Sequence, residues 1–198
     1  MSNGYICIFT LDRIEDLRRF LISFKKYNNL PIACFLARDI IEAHSFKTQL
    51  GFLTPFDNSV FLDIDMLVNG DLSELFLTSE IGEIGVVREL GVKCLNSGMI
   101  VFPKVLMQSL CSKWHPAYIK SISRSPSSHP GTLEQSLFNV LVLNFPFREL
   151  PSKFNTIIKD ISPAEESKMF ETIRVFHFLH EPGIDRNLYK SYRTFQEL

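Results

Sequence analysis

Apolar residues recur along this chain with two different periods. Residues 5–10 (Tyr5-Ile6-Cys7-Ile8-Phe9-Thr10) form an apolar run too short for a helix and read as a buried strand. Ile14, Leu17, Phe20, Leu21 and Phe24 then recur at helical spacing, with Arg13, Glu15, Arg18 and Lys25 between them. That pattern predicts an amphipathic helix for which Thr10 or Asp12 can serve as the cap. Asn28-Asn29 breaks it, and residues 31–36 read as a second strand, completing a β-α-β unit. Further on, the pattern predicts a helix over 43–53, a turn at 54–58, a strand over 59–62 that stops at Asp63, and a short helix over 71–76. Strands follow at 84–87 and 98–102, then a helix from 104 to about 122, a Ser/Pro-rich surface loop at 121–131, a helix over 132–143, an extended segment at 145–150 and a late strand at 172–179. With no internal repeat, the sum is one α/β domain over 1–198, a mostly parallel central sheet flanked by helices.

Composition narrows the function classes. In 198 residues, 21 basic side chains face 22 acidic ones, so no field of one sign favours nucleic acid. The 18 phenylalanines are core-filling residues by type. Cys7, Cys34, Cys94 and Cys111 are widely spaced, form no CxxC, and fit a reducing compartment better than a disulfide scaffold. The N-terminal residues lack a basic region followed by a long apolar one, and no apolar stretch approaches the ~20 residues that span a bilayer. The expectation is a cytoplasmic protein without a membrane span.

The candidate chemistry centres on Asp63-Ile64-Asp65, two carboxylates two apart inside an apolar run. In an extended segment they project to one side. Ionised groups in such surroundings are costly unless a cation or hydrogen bonds compensate. Paired oxygens at a strand end suit Mg²⁺ or Mn²⁺ holding a diphosphate. A pair at this spacing also arises by chance in about one of every two chains of this length, so context decides. An EF-hand loop is excluded: Asp63, Asp65 and Glu74 fit its positions, but Leu67 and Val68 stand where an oxygen ligand and a glycine are required.

The context is a series of motifs in order. Residues 47–76, with Lys47, the strand before Asp63-Ile64-Asp65, and the Leu75-Phe76 pair, resemble the donor-binding core of GT-A glycosyltransferases. The nearest resemblance is to glycosyltransferase family 8, which includes glycogenin and bacterial lipopolysaccharide galactosyltransferases. Leu95-Asn96-Ser97-Gly98 resembles that family's Asn-Ser-Gly segment, and Leu133-Glu134-Gln135 its Asp-Gln-Asp helix start. Leu150-Pro151-Ser152-Lys153-Phe154-Asn155 resembles its Leu-Pro-x-x-aromatic-Asn turn, and Val175-Phe176-His177 the strand carrying its metal-binding histidine.

The resemblance implies a metal-dependent transferase that moves a sugar from a nucleotide diphosphate, UDP above all, onto a glycan or glycoprotein, with retention of configuration. It implies Asp63, Asp65 and His177 as ligands of Mn²⁺ or Mg²⁺. It places the donor against Thr10, Leu11, Lys47, Asp63, Ile64, Asp65, Asn96 and Ser97, with His180 a candidate substitute for the family's missing lysine, and sets Gln135 against the transferred sugar as a candidate catalytic residue; should the reaction instead invert, Glu89 and Glu134 are the candidate bases. It also divides the chain into a donor-binding half, about 1–102, and an acceptor half, about 103–198.

Ordinary readings stand beside these. A histidine in an apolar strand is commonly a core residue, Lys47 has the look of an exposed helix lysine, and Thr132 with Gln135 fits a helix capping box. The family's Lys-Pro-Trp segment after the histidine is absent: His180, Arg186 and Lys190 are the cations near its place. Two alternatives remain. A nucleotidyltransferase shares this sheet but begins with a Gly-rich phosphate loop, and residues 10–19 contain no glycine. A non-catalytic sugar-nucleotide-binding module is the other.

Overall fold

The first strand, β1 (Asn3–Thr10), alternates its side chains between two cores. Tyr5 and Cys7 enter one, and Ile6 and Ile8 enter another on the opposite face of the sheet. A computed structural model describes residues 1–89, 93–125, 127–178 and 185–198, and all that follows concerns those residues. A 3₁₀ turn at Leu11–Arg13 leads into α1 (Ile14–Lys25), which buries Leu17, Phe20 and Phe24. Next come β2 (Ile32–Ala37), α2 (Ile40–Lys47), α3 (Leu50–Leu53), β3 (Asn58–Leu62), β4 (Met66–Val68), α4 (Phe76–Glu80), β5 (Ile84–Arg88) and β6 (Leu95–Pro103). The remainder is α5 (Lys104–Arg124), α6 (Pro130–Val142), β7 (Phe147–Leu150), β8 (Thr156–Ile157), α7 (Pro163–Met169), β9 (Val175–His177) and α8 (Lys190–Gln196).

The main sheet has the order β2-β1-β3-β6-β5-β7. Five strands run one way and β6 runs against both its neighbours, so the sheet is mostly parallel as expected. Helix α1 and the C-terminal Phe176, Phe178 and Phe195 share the core on one face, whereas α5 and α6 close the other with Met107, Trp114 and Phe138. The Trp114 and Phe138 rings lie 5.0 Å apart, and each such fully buried aromatic contributes about 1.5–3 kcal/mol. A smaller sheet, β4-β9-β8, lies beside the end of β3.

Several expected boundaries move for identifiable reasons. Thr10 precedes the 3₁₀ turn but makes no capping hydrogen bond, and α1 begins after Arg13. The helix expected over 43–53 is two: Asp39 caps α2 by accepting the Glu42 N–H at 2.8 Å, and Thr48-Gln49 separates it from α3. Helix α6 starts at Pro130, with the His129 side chain accepting the Gly131 N–H, which places Thr132 inside the helix. The Thr132–Gln135 capping box is therefore not formed. The late strand is confined to Val175–His177, and Leu179 lies outside the described residues.

Candidate active site

Asp63 and Asp65 lie in a bend between β3 and β4, not in a strand. Their convergence, expected from strand alternation, is instead produced by backbone ties on both sides. The Asp63 N–H donates to the Gly98 carbonyl of β6 at 2.9 Å, and the Asp65 carbonyl accepts the Phe178 N–H at 2.9 Å. Met66 pairs with His177 across β4 and β9, which sets the imidazole beside the carboxylates. One ligand atom each from Asp63, Asp65 and His177 lie within 4.8 Å of one another. Gly98 leaves the room they occupy: a Cβ there would fall 2.4 Å from His177 Cε1 and 2.9 Å from Asp63 Oδ2.

The chemistry of this donor set fits a divalent cation. His177 is buried, and its Nε2 stands 3.3 Å from Asp65 Oδ1, close enough for an ion pair yet not aligned as a hydrogen bond. A buried polar atom left in this way favours a cation between the groups. Two carboxylates and an imidazole are an ordinary set for Mn²⁺ or Mg²⁺.

Lys47 is not the exposed helix lysine its position suggested. It is 4% exposed, and its ammonium donates to Asp63 Oδ2 at 3.1 Å and lies 3.5 Å from Glu134 Oε2 and 5.0 Å from the centre of the Phe61 ring. Burial pulls its pKa down, but Asp63, Glu134 and Asp65 outweigh that and raise it overall, so the charge is retained. The Asp63 carboxyl is pushed upward, chiefly by burial, with Lys47 opposing. Glu134 is 1% exposed; its Oε2 also accepts from Ser97 Oγ at 3.1 Å and lies 3.5 Å from His44 Nδ1, while its Oε1 has no partner.

Helix α6 presents Gln135 to the same region. Its Oε1 accepts the Ser97 N–H at 3.0 Å and its Nε2 donates to Glu89 Oε1 at 3.0 Å. Asn96 Nδ2 donates to that same Glu89 oxygen at 3.0 Å, and Asn96 Oδ1 accepts from the Gly98 N–H at 2.8 Å and from Asn155 Nδ2 at 2.9 Å. Asn155 Oδ1 lies 3.0 Å from His177 Nδ1. The sequence shows Asn155 only as part of a turn motif; its contact with His177 has no local signal, because the partner lies 22 positions away on another element.

These groups, Asn155 excepted, border one cleft of about 1220 Å³ at the carboxyl ends of β1, β2 and β3. Thr10 and Leu11 line it at the end of β1, and Ile64 borders it while its side chain packs in the core. Lys159, unflagged in the sequence, also lines it, with its ammonium 3.9 Å from Glu89 Oε2. Lys190 sits 3.9 Å over the Phe170 ring and Arg186 5.0 Å over Tyr192, and neither is among the residues lining this cleft. His180 lies outside the described residues. No described helix is long and apolar enough to cross a membrane.

No protein-family model and no curated protein matches the chain. Solved structures do. The glycosyltransferase GlyE of Streptococcus pneumoniae TIGR4 aligns with TM-score 0.72 and 14% identity over 98% of this chain and 60% of that one. A glycosyltransferase involved in glycosylation of the major capsid of PBCV-1 aligns with TM-score 0.68 and 12% identity over 100% of both chains. Mouse xyloside xylosyltransferase 1 aligns with TM-score 0.60 and 12% identity over 93% of this chain and 100% of that one. The chain thus spans about 60% of the length of GlyE, and it has the fold of these glycosyltransferases.

Proposed function

We propose that this chain is a divalent-metal-dependent glycosyltransferase of the family 8 type. In this reading it takes a UDP-sugar and transfers the sugar, with retention, to a hydroxyl of a glycan or protein. The observation that carries the proposal is the meeting of Asp63, Asp65 and His177 at the mouth of the sheet, inside a cleft large enough for a nucleotide sugar.

Asp63, Asp65 and His177 would hold the ion, which when bound supplies positive charge against the departing diphosphate. Thr10 and Leu11, which line the cleft at the end of β1, would flank the base. Lys47 holds Asp63 in place and adds a fixed positive charge beside the diphosphate position. Glu134 Oε1, buried and unpartnered, offers an acceptor to a sugar hydroxyl, with Asn96, Ser97 and Gln135 around it. Retention follows from the resemblance to family 8, and the nearby carboxylates are held by polar neighbours. Glu89 Oε1 accepts two amide N–H groups, and Glu134 lies between Lys47 and His44. Attack on the same face, assisted by the departing phosphate oxygen, needs neither of them as a base.

The test is a panel of nucleotide sugars incubated with Mn²⁺, Mg²⁺ or EDTA. Nucleoside diphosphate released only with metal is the expected product, and Asp65→Ala abolishes it while the protein stays folded. Pyrophosphate release would instead mean nucleotidyl transfer. UDP binding without any product across the panel, with acceptors supplied, would make the chain a binding module.

A further inference from the structure

The polar side chains between Gln135 and His177 form a continuous chain whose direction is fixed at several points. We propose that Asn155, backed by Asn96 and anchored on Glu89, is a positioning residue that holds the proton of His177 on Nδ1 and aims its bare Nε2 at the Asp63–Asp65 pair. This rests on reading those three residues as a divalent-cation site.

The direction follows from donor and acceptor counts. A carboxylate only accepts, so both amides that meet Glu89 Oε1, from Asn96 and Gln135, turn their NH₂ ends toward it. Backbone N–H groups, which only donate, confirm both settings: Gly98 donates to Asn96 Oδ1 and Ser97 to Gln135 Oε1. The Asn96 oxygen therefore receives Asn155 Nδ2, and Asn155 is left with its oxygen facing His177 Nδ1. That oxygen can only accept, so Nδ1 carries the proton of the neutral ring. Nε2 then presents a lone pair to Asp65 Oδ1 at 3.3 Å, an arrangement that repels until a cation lies between them.

Asn96, Asn155 and His177 are each 1–3% exposed, so no bulk water competes for these bonds. On this account Glu89 acts through the chain, as its anchor, and not by taking a proton from the acceptor. The Leu-Pro-x-x-aromatic-Asn turn then has a chemical purpose: it delivers an amide to the side of the imidazole away from the ion.

Two readouts test this without turnover. In metal-free protein labelled with ¹⁵N-histidine at pH 8, long-range ¹H–¹⁵N correlation separates the two neutral tautomers; the His177 signal is the one lost in His177→Phe. The wild type is expected as the Nδ1–H form, and Asn155→Leu is expected to populate the Nε2–H form. Mn²⁺ affinity, read by titration calorimetry, is expected to fall about 10–100-fold in Asn155→Leu, the usual loss when an outer-sphere partner of a ligand is removed. Glu89→Leu, which removes the acceptor that both amides share, should lose several-fold. A proton on Nε2 in the wild type overturns the proposal, as does Asn155→Leu with wild-type tautomer and affinity. If Asn155→Leu does not fold, the wild-type tautomer and Glu89→Leu decide. Wild-type protein that binds no Mn²⁺ overturns the metal reading instead, and the tautomer still decides the present one.

Discussion

Lys47→Met separates the structural from the functional part of the site. Methionine keeps most of the side-chain volume over the Phe61 ring and removes only the charge. What remains is Glu134, 1% exposed, and Asp63, whose side chain is 31% exposed, both without their shared ammonium. Removing one partner of a buried pair typically costs about 3–5 kcal/mol. Cleft water screens Asp63, so the low end applies, about 3 kcal/mol. At about 2–4 °C per kcal/mol for a domain of this size, the melting temperature should drop by about 6–12 °C in EDTA. The ammonium also competes for Asp63 with any incoming cation, since it lies 3.1 Å from Oδ2. Mn²⁺ should therefore stabilise the variant more than the wild type; saturation at a hundred times the dissociation constant adds about 2.7 kcal/mol. Scanning calorimetry of both proteins, with EDTA and with Mn²⁺, provides all four values. A variant melting within about 1 °C of the wild type in EDTA would refute the buried ion cluster. An equal or smaller Mn²⁺ shift in the variant would place the ion away from Asp63.

Gly98→Ala should lower Mn²⁺ affinity at least tenfold, because its Cβ would lie 2.4 Å from His177 Cε1 and metal sites tolerate only ~0.2 Å of error in ligand distance; the overpacking itself costs about 1–3 kcal/mol, and calorimetry reads both effects. Cys34 should react with iodoacetamide along a pH curve centred near its pKa of about 7. A hydrogen bond from Cys7, its partner across β1 and β2, holds that thiol below the ordinary range, burial opposes, and Lys25 assists. Below pH 7 the thiolate is lost and the rate falls. Cys111, pushed up to about 12 by burial, should stay unmodified, and a Cys34 midpoint near that of an ordinary thiol would contradict the pairing.

The elements that the hydrophobic pattern located are those whose burial is set by the main sheet. β1, α1 and β3 each present a regular apolar face, and α5 runs from Lys104 as expected. Elements held by side-chain caps were missed. Helix α7 is set by a Ser162–Glu165 capping box, and the N–H groups of Lys190 and Ser191 at the start of α8 are taken by the buried Glu166. Neither segment is long or periodic enough to stand out. Strand β4 was hidden for another reason: the apolar run from β3 continues through it, and only the bend at Asp63–Asp65 transfers the chain from one sheet to the other.

The site was legible where residue type alone restricts the chemistry and illegible where type is permissive. Aspartates inside an apolar run are costly wherever they sit, so Asp63 and Asp65 announce themselves. Lys47, Asn96 and Asn155 do not, because an amide or a long amine is equally at home on a surface, and burial is a property of the assembled fold. Gln135 shows the ambiguity at its sharpest. A capping box with Thr132 accounted for it fully in sequence, yet α6 begins two residues earlier and releases the amide to bridge Ser97 and Glu89. That shift joins β6 to α6 through Ser97. It also makes the polar chain continuous from Gln135 to His177. A substitution at the helix start that moved α6 by one residue would therefore disturb the imidazole without touching it.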